Sequence, residues 1–301
     1  MHLDPSDLLP LRDPHLTGDL RSWRDVELPG LDRRAEIYVW LPPGYDDGDD
    51  RYPVLYLHDG DNMFLPQRAF GGVAWDVDRA MSALAGDGIP AIVVAVPCHP
   101  TARGDEYVPH GDPRLGGGRA ADYATFLADH LKPAVDGVLR TRPGREDTLV
   151  AGSSLGGLVS AYLWTERPEV FGGAGMFSPA YYWPTEELGE RCLRDVEDAL
   201  RTGLPDEGTR LYLDVGGREH HLDRHVERLY VEHAERLLDV VRETGVPVRY
   251  VYDSQGYHFE TAWAERFPAA AAWLLRGYAV APPAYVLADL AAGAGSAEHL
   301  G

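Results

Sequence analysis

The chain has 301 residues, of which 45% are hydrophobic, so it is long and apolar enough to fold as one large α/β domain. Its formal net charge of −20 disfavours a nucleic-acid partner, because binding to phosphates depends on Lys and Arg. We expect no membrane partner, since no segment approaches the roughly 18 consecutive apolar residues of a membrane helix, and no signal peptide at the start of the chain. The two cysteines, Cys98 and Cys192, lie in unrelated segments, which favours free thiols and a cytoplasmic location.

In chain order, apolar runs alternate with segments of helical periodicity. The runs predict strands at residues 35–41, 54–58, 91–96, 148–151, 211–215 and 248–252, with a weaker candidate at 173–177. The helical segments lie at residues 75–85, 119–139, 158–166, 186–201, 222–243 and 260–276. This alternation predicts a mostly parallel sheet with helices on both faces.

No linker divides the chain, which predicts a single domain over residues 1–280 without a separate cap domain. The segment 97–118 is longer than an ordinary connection, and we expect it to border the functional site. The end of the chain, residues 281–301, is rich in Ala and Gly and predicts a peripheral tail.

A G-S-S-L-G sequence at residues 152–156 lies between a predicted strand and a predicted helix. This is the G-x-S-x-G pattern in a strand–turn–helix context, where a serine is held at a sharp corner. Glycines on either side let neighbouring backbone approach closely, and the helix N-terminus favours developing negative charge. The spacing predicts Ser154 as a nucleophile and makes Ser153 the variable position.

A serine nucleophile needs a histidine base and an acid that orients it, and in this arrangement the acid and then the histidine follow the serine. His258 is the histidine that follows a candidate acid and lies directly after a predicted strand. Three acids flank the preceding strand: Glu219 past a Gly-Gly turn, Asp214 within the strand, and Asp223 near the next helix. Position at the carboxyl end of a strand favours Glu219, with Asp214 and Asp223 as alternatives.

Two backbone N–H groups are candidates for an oxyanion hole. Leu155 follows the nucleophile, and Asp61 lies in the loop after the predicted strand 54–58. A carboxylate beside a developing oxyanion is unfavourable, so we expect the Asp61 side chain to point away.

Two clusters contain metal-ligand residue types without the spacing of a metal site. His221 and His225 lie four residues apart near Glu219, but there is no H-E-x-x-H motif and no third ligand of clear spacing. The H-D-G-D-N run at residues 58–62 lacks the EF-hand pattern. We therefore predict neither a metal nor a cofactor.

Four segments together resemble the "putative esterase" branch of the α/β-hydrolases. They read YPVLYLHDG at 52–60, GSSLGGL at 152–158, RPEVFG at 167–172 and GYH at 256–258. This branch contains enterochelin-esterase-like enzymes, feruloyl and acetyl-xylan esterases, S-formylglutathione hydrolases and mycolyltransferases. The resemblance covers residues 33–277.

The resemblance implies an α/β-hydrolase fold, the triad Ser154, Glu219 and His258, and the oxyanion hole at Asp61 and Leu155. The family often has Asp at the acid position, where this chain has Glu. The RGDEY segment at residues 103–107 resembles a stretch beside the site of many relatives, which implies either substrate contacts by Arg103 and Tyr107 or structural anchoring of the loop.

We predict a cofactor-free serine esterase acting on a small-molecule carboxylic ester. Tyr181, Tyr182 and Trp183 follow the strand next to the serine corner and are further candidates for substrate contact. An acyltransferase of the mycolyltransferase type and a hydrolase-fold protein that only binds its ligand are the alternatives. The identity of the ester and the oligomeric state are left open.

Overall fold

The computed structural model describes residues 1–206 and 208–276, together with the backbone of residues 285–289. Its strands are β1 (Leu8–Pro10), β2 (Asp19–Leu28), β3 (Arg33–Leu41), β4 (Val54–His58), β5 (Ile92–Val96), β6 (Thr148–Ser153), β7 (Gly173–Phe177), β8 (Arg210–Arg218), β9 (Val248–Tyr257) and β10 (Tyr285–Asp289). Its helices are α1 (Val77–Gly86), α2 (Arg103–Tyr107), α3 (Ala120–Thr125), α4 (Lys132–Val138), α5 (Leu155–Glu166), α6 (Glu186–Thr202), α7 (Arg224–Thr244) and α8 (Glu260–Leu275). A π-helical segment, Phe126–Leu131, joins α3 to α4.

All these strands form one sheet in the order β1-β2-β3-β5-β4-β6-β7-β8-β9-β10. The first three strands are antiparallel, and β3 also pairs antiparallel with β5. Every pairing from β5 to β10 is parallel. Because parallel strands end at the same edge of a sheet, the loops after β4, β6, β8 and β9 meet there.

Helices cover both faces of the sheet and enclose two hydrophobic cores. Along β5, Val93 and Ala95 belong to the core that α1 and α8 cover, whereas Val94 and Val96 belong to the core on the opposite face. This alternation follows from the two-residue period of a strand. Since both faces are buried, the central strands read as continuous apolar runs.

The predicted fold class is confirmed, and the seven predicted strands are present as β3 to β9. The structure adds β1 and β2, which the sequence did not predict because β2 carries charged residues on its exposed side and shows no apolar run. The predicted helix at 119–139 divides into α3, the π-helical segment and α4.

Part of the predicted tail, residues 281–301, forms β10, which pairs parallel with β9. The rest of that segment lies outside the described residues. In the part of the chain that the structure describes, no helix combines the length and apolar character needed to cross a bilayer.

Candidate active site

Ser154 occupies a sharp corner between β6 and α5. Its backbone has φ 59° and ψ −120°, a strained conformation for a residue with a side chain. The Ser154 N–H donates a hydrogen bond of 2.9 Å to the carbonyl of Phe177 at the end of β7, which holds the corner in place. A Cβ on Gly152 would lie 3.0 Å from the carbonyl carbon of Gly156, and a Cβ on Gly156 would lie 3.0 Å from Oδ2 of Asp59, so neither position has room for a side chain.

His258 follows β9 and contacts Glu219, which follows β8. Its Nδ1 lies 2.7 Å from Oε2 of Glu219. The other carboxylate oxygen accepts hydrogen bonds from the Ser178 hydroxyl, at 2.6 Å, and from the Gly216 N–H. Burial alone would raise the pKa of Glu219, but these hydrogen bonds and the charge of His258 hold that pKa below its usual value. Glu219 is therefore ionised at neutral pH although it is only 3% exposed.

The two alternative acids have other partners. Asp214 is fully buried and forms an ion pair with Arg266, whose Nε lies 2.9 Å from Oδ2 of Asp214. Asp223 caps α7 by accepting hydrogen bonds from backbone N–H groups of its first turn. Of the three candidates, Glu219 is the one that the structure brings to His258.

The two oxyanion candidates lie at the same edge of the sheet. The Leu155 N–H belongs to the first turn of α5, where a helix leaves N–H groups without intrahelical acceptors. Asp61 lies in the 3₁₀ turn Gly60–Asn62 after β4 and lines the same cleft as Ser154. Its carboxylate accepts a 2.7 Å hydrogen bond from the Tyr38 hydroxyl on β3, which directs the negative charge toward β3.

Asp59 and Arg103 form a two-pronged ion pair behind the serine corner. Nε and Nη2 of Arg103 donate to the two carboxylate oxygens of Asp59 at 2.6 and 2.7 Å. Nη2 also donates to the carbonyl of Ser153 at 3.1 Å. The pair thus connects the segment 97–118 to the loop after β4 and to Ser153, the residue before Ser154.

Two histidines of the candidate metal clusters have protein partners. His58 is buried, its Nδ1 lies 2.8 Å from the Tyr123 hydroxyl, and burial lowers the pKa of His58 to about 3. On the surface, Nε2 of His225 lies 2.7 Å from a carboxylate oxygen of Glu186. Among the described residues, no three His, Cys, Asp or Glu side chains are grouped as metal ligands.

Comparison with known families gives a match over most of the chain. The model of the Esterase family, described as "Putative esterase", matches residues 29–274. The chain belongs to this family. The resemblance that the sequence motifs predicted is therefore confirmed, and membership supports a carboxylic ester hydrolase as the class of enzyme.

Three similar proteins share from 18% to 31% sequence identity with this esterase. It is 22% identical over 252 residues to the uncharacterized protein YbbA of Bacillus subtilis, a match that covers 80% of this chain and 92% of the relative. It is 31% identical over 113 residues to the iron(III) enterobactin esterase of Escherichia coli K12, which covers 37% of this chain and 28% of that protein. The crystal structure of an IroE-like serine hydrolase from Shewanella oneidensis has a similar fold, with a TM-score of 0.67 and 18% identity over 87% of this chain and 81% of the other.

Ser154 and His258 of the esterase face a common cleft of about 370 Å³. One wall is aromatic and consists of Phe70, Phe259 and Trp263. The rings of Phe70 and Phe259 lie 6.4 Å apart, and Phe70 is 70% exposed, so this pair forms the rim. An apolar group bound in the cleft would contact these rings.

The cleft also contains a buried carboxyl group, that of Glu260, which the sequence analysis did not single out. Glu260 is 4% exposed, and its Oε1 accepts a long hydrogen bond of 3.3 Å from Nδ2 of Asn62. Burial and the negative charge of Asp59 raise the pKa of Glu260 to about 7. The charge of the cleft therefore changes near neutral pH.

The two predicted substrate residues of the segment 97–118, Arg103 and Tyr107, differ in their access to the cleft. Arg103 lines the cleft, with its charge paired to Asp59. Tyr107 is fully buried, and its hydroxyl oxygen accepts a 3.1 Å hydrogen bond from the Asp59 N–H. Tyr107 therefore supports the ion pair from the core and has no surface on the cleft.

The three aromatic residues after β7 do not line the cleft of the described structure. Tyr181 is 1% exposed and belongs to the core. Trp183 packs over Gly104 of α2, and Tyr182 packs on Tyr230 of α7 with ring centroids 5.2 Å apart. Because this segment packs against two helices, the aromatic wall comes from other parts of the chain, including Trp263 of α8.

Tyr230 is a second residue of the site that sequence reasoning missed. It lies in α7, is 2% exposed, and its hydroxyl oxygen lies 3.3 Å from Nε2 of His258. In the sequence it occupies the apolar face of an amphipathic helix, a pattern that predicts core packing. No motif marks it, since its contact with His258 depends on how α7 packs.

Proposed function

We propose that this chain hydrolyses small-molecule carboxylic esters, with Ser154 as nucleophile, His258 as general base and Glu219 as the acid that orients His258. The observation that carries the proposal is the 2.7 Å contact between Nδ1 of His258 and buried, ionised Glu219 beside the cleft of Ser154. A carboxylate at Nδ1 keeps the proton on that nitrogen, so Nε2 is free to accept the serine proton.

The reaction then proceeds through an acyl-enzyme. Oγ of Ser154 attacks the ester carbonyl while Nε2 of His258 takes its proton. The N–H groups of Leu155 and Asp61 stabilise the negative oxygen of the tetrahedral intermediate, each by about 2.7–4 kcal/mol in comparable enzymes. His258 returns the proton to the departing alcohol, and water, activated by the same base, releases the acid from Ser154.

The lining of the cleft favours a neutral ester over an anionic one. The aromatic wall suits an apolar acyl or aryl group. Arg103 has its charge paired with Asp59, and Glu260 adds negative charge above a pH of about 7. With a net charge of −20 on the whole chain, we place anionic siderophore esters below neutral esters as substrates.

We also propose a cytoplasmic location. Cys98 is partly buried and Cys192 is buried, and both are free thiols. Unpaired cysteines in separate elements fit a reducing compartment.

The test is replacement of the nucleophile. Ser154→Ala should keep the fold, lose labelling by a fluorophosphonate and reduce kcat for p-nitrophenyl butyrate by roughly 10⁴–10⁶-fold. The adjacent Ser153→Ala is the matched control and should retain labelling with a much smaller loss. A folded Ser154→Ala protein with near wild-type rates would refute the proposed function.

A further inference from the structure

The base of the proposed triad has a second hydroxyl neighbour besides the nucleophile. The Tyr230 hydroxyl oxygen lies 3.3 Å from Nε2 of His258, the nitrogen that must exchange the proton. The same hydroxyl also interacts with the Ser154 side chain. Tyr230 is thus in contact with both reacting groups.

This hydroxyl is held rigidly. The Tyr230 ring packs against His258 with centroids 4.9 Å apart, and Trp263 packs edge-on against His258 at 4.8 Å. Tyr182 packs edge-on against Tyr230 at 5.2 Å, and its hydroxyl oxygen lies 3.5 Å from that of Tyr230. Burial raises the pKa of Tyr230 well above its usual value, so the group stays a neutral donor.

Whether the Tyr230 hydroxyl can donate its hydrogen bond to the substrate depends on the protonation state of His258. In the resting enzyme Nδ1–H faces Glu219, so the single lone pair of Nε2 can accept a hydrogen bond from the Tyr230 hydroxyl until the Ser154 hydroxyl replaces it. Once Nε2 has taken the Ser154 proton, it has no lone pair left to accept this bond. The Tyr230 O–H is then released at the moment when an oxygen of the substrate must leave.

We propose that Tyr230 is a further catalytic residue, whose hydroxyl donates a hydrogen bond to the leaving oxygen of the ester. This inference rests on the proposed function. As the bond between the carbonyl carbon and the leaving oxygen breaks, the electron pair stays on that oxygen, which takes the proton from Nε2 of His258. Tyr230 stabilises the developing negative charge by its hydrogen bond and keeps its own proton, so an alcohol and the acyl-enzyme are formed.

A donor to the leaving oxygen matters most when the leaving group is a poor one. Alkyl alkoxides need both the proton and the hydrogen bond, whereas p-nitrophenolate leaves as a stable anion. The test compares ethyl butyrate with p-nitrophenyl butyrate, which share the acyl group. The constant kcat/KM reports acylation, the half-reaction in which the alcohol departs.

Tyr230→Phe removes the hydroxyl and keeps the ring that packs on His258. We expect kcat/KM for ethyl butyrate to fall by about 10²–10³-fold, the usual effect of one lost donor to transition-state charge. The change for p-nitrophenyl butyrate should be far smaller. A residue that only positions His258 would reduce both rates equally, and that result would overturn the proposal.

Tyr250→Phe is the matched control, because Tyr250 is a buried tyrosine of β9 whose hydroxyl has no hydrogen-bond partner in the described structure. It should change neither rate. Unchanged rates in Tyr230→Phe on both esters would also overturn the inference. If Ser154→Ala remains active, the proposed function itself fails, which is a distinct result.

Discussion

At the scale of single residues, Glu219 is positioned to hold the imidazole through charge as well as geometry. Glu219→Gln keeps the shape of the side chain but removes the charge and can present an N–H to Nδ1 of His258. We expect a folded protein whose kcat for ester hydrolysis falls by up to about 10⁴-fold, because the imidazole loses its correct tautomer and its compensating charge.

Asp223→Asn is the control for this substitution, since Asn also caps a helix and Asp223 contacts α7 instead of His258. Its steady-state kinetics should match those of the wild type. A collapse of activity in Asp223→Asn, with Glu219→Gln unaffected, would transfer the role of the acid to the start of α7.

Glu260 makes stability depend on pH in a definite direction. Its pKa of about 7 in the folded protein lies above the ordinary value of 4.5, so the folded state retains this proton between those values while the unfolded state loses it. The free energy of unfolding must therefore fall as pH rises from about 4.5 to 7, by up to about 3 kcal/mol from this group. We expect Glu260→Gln to be stabilised relative to the wild type at pH 8 and to lose that advantage at pH 4.5.

Urea unfolding at the two pH values measures this difference. Glu265→Gln, an exposed position of the same helix, is the control and should follow the wild type at both. If the free energy of unfolding changes with pH by the same amount in the wild type and in Glu260→Gln, the Glu260 carboxyl does not titrate in this range.

At the scale of elements, the junction of β8 and β9 positions the acid. The pairing shifts register between Gly216 and Arg218, and the Gly216 N–H donates to Glu219. A Cβ on Gly216 would lie 2.8 Å from Oε1 of Glu219 and would also collide with the carbonyl of Gly256. We expect Gly216→Ala to displace the carboxylate and to lower kcat by about 10²-fold, as a misplacement near 1 Å does elsewhere.

The control for Gly216→Ala is Gly137→Ala in α4, where an added Cβ meets nothing within 4 Å. Ala favours a helix over Gly, so this variant should be at least as stable and fully active. Wild-type kinetics in Gly216→Ala would mean that the β8–β9 junction tolerates a side chain without moving Glu219.

Strand ends were harder to predict than strands. The apolar runs predicted strands at 211–215 and 248–252, but β8 continues to Arg218 and β9 to Tyr257. The added residues include Gly216, Gly217 and the S-Q-G run at 254–256, which are typical of turns. Here the ladder continues through a register shift, a property of the strand pair that neither segment reveals alone.

At the scale of the whole molecule, parallel topology made much of the candidate site predictable. Ser154, Glu219 and His258 each follow a strand, and strands of one parallel sheet end at one edge. Tyr230 and Glu260 were not predictable, because their contacts depend on how α7 and α8 pack against that edge. Burial, which gives Glu260 its altered titration, is likewise a property of the assembled fold.

The buried carboxyl of Glu260 also affects how the acid product leaves the cleft. In the proposed reaction each turnover leaves a carboxylic acid beside Glu260, and an ordinary carboxylic acid is already ionised at neutral pH. Above a pH of about 7 two negative groups share a cleft of about 370 Å³ within a chain of net charge −20, so the product is repelled toward solvent. We expect the carboxyl that weakens the fold at high pH also to shorten the residence of the product in the cleft.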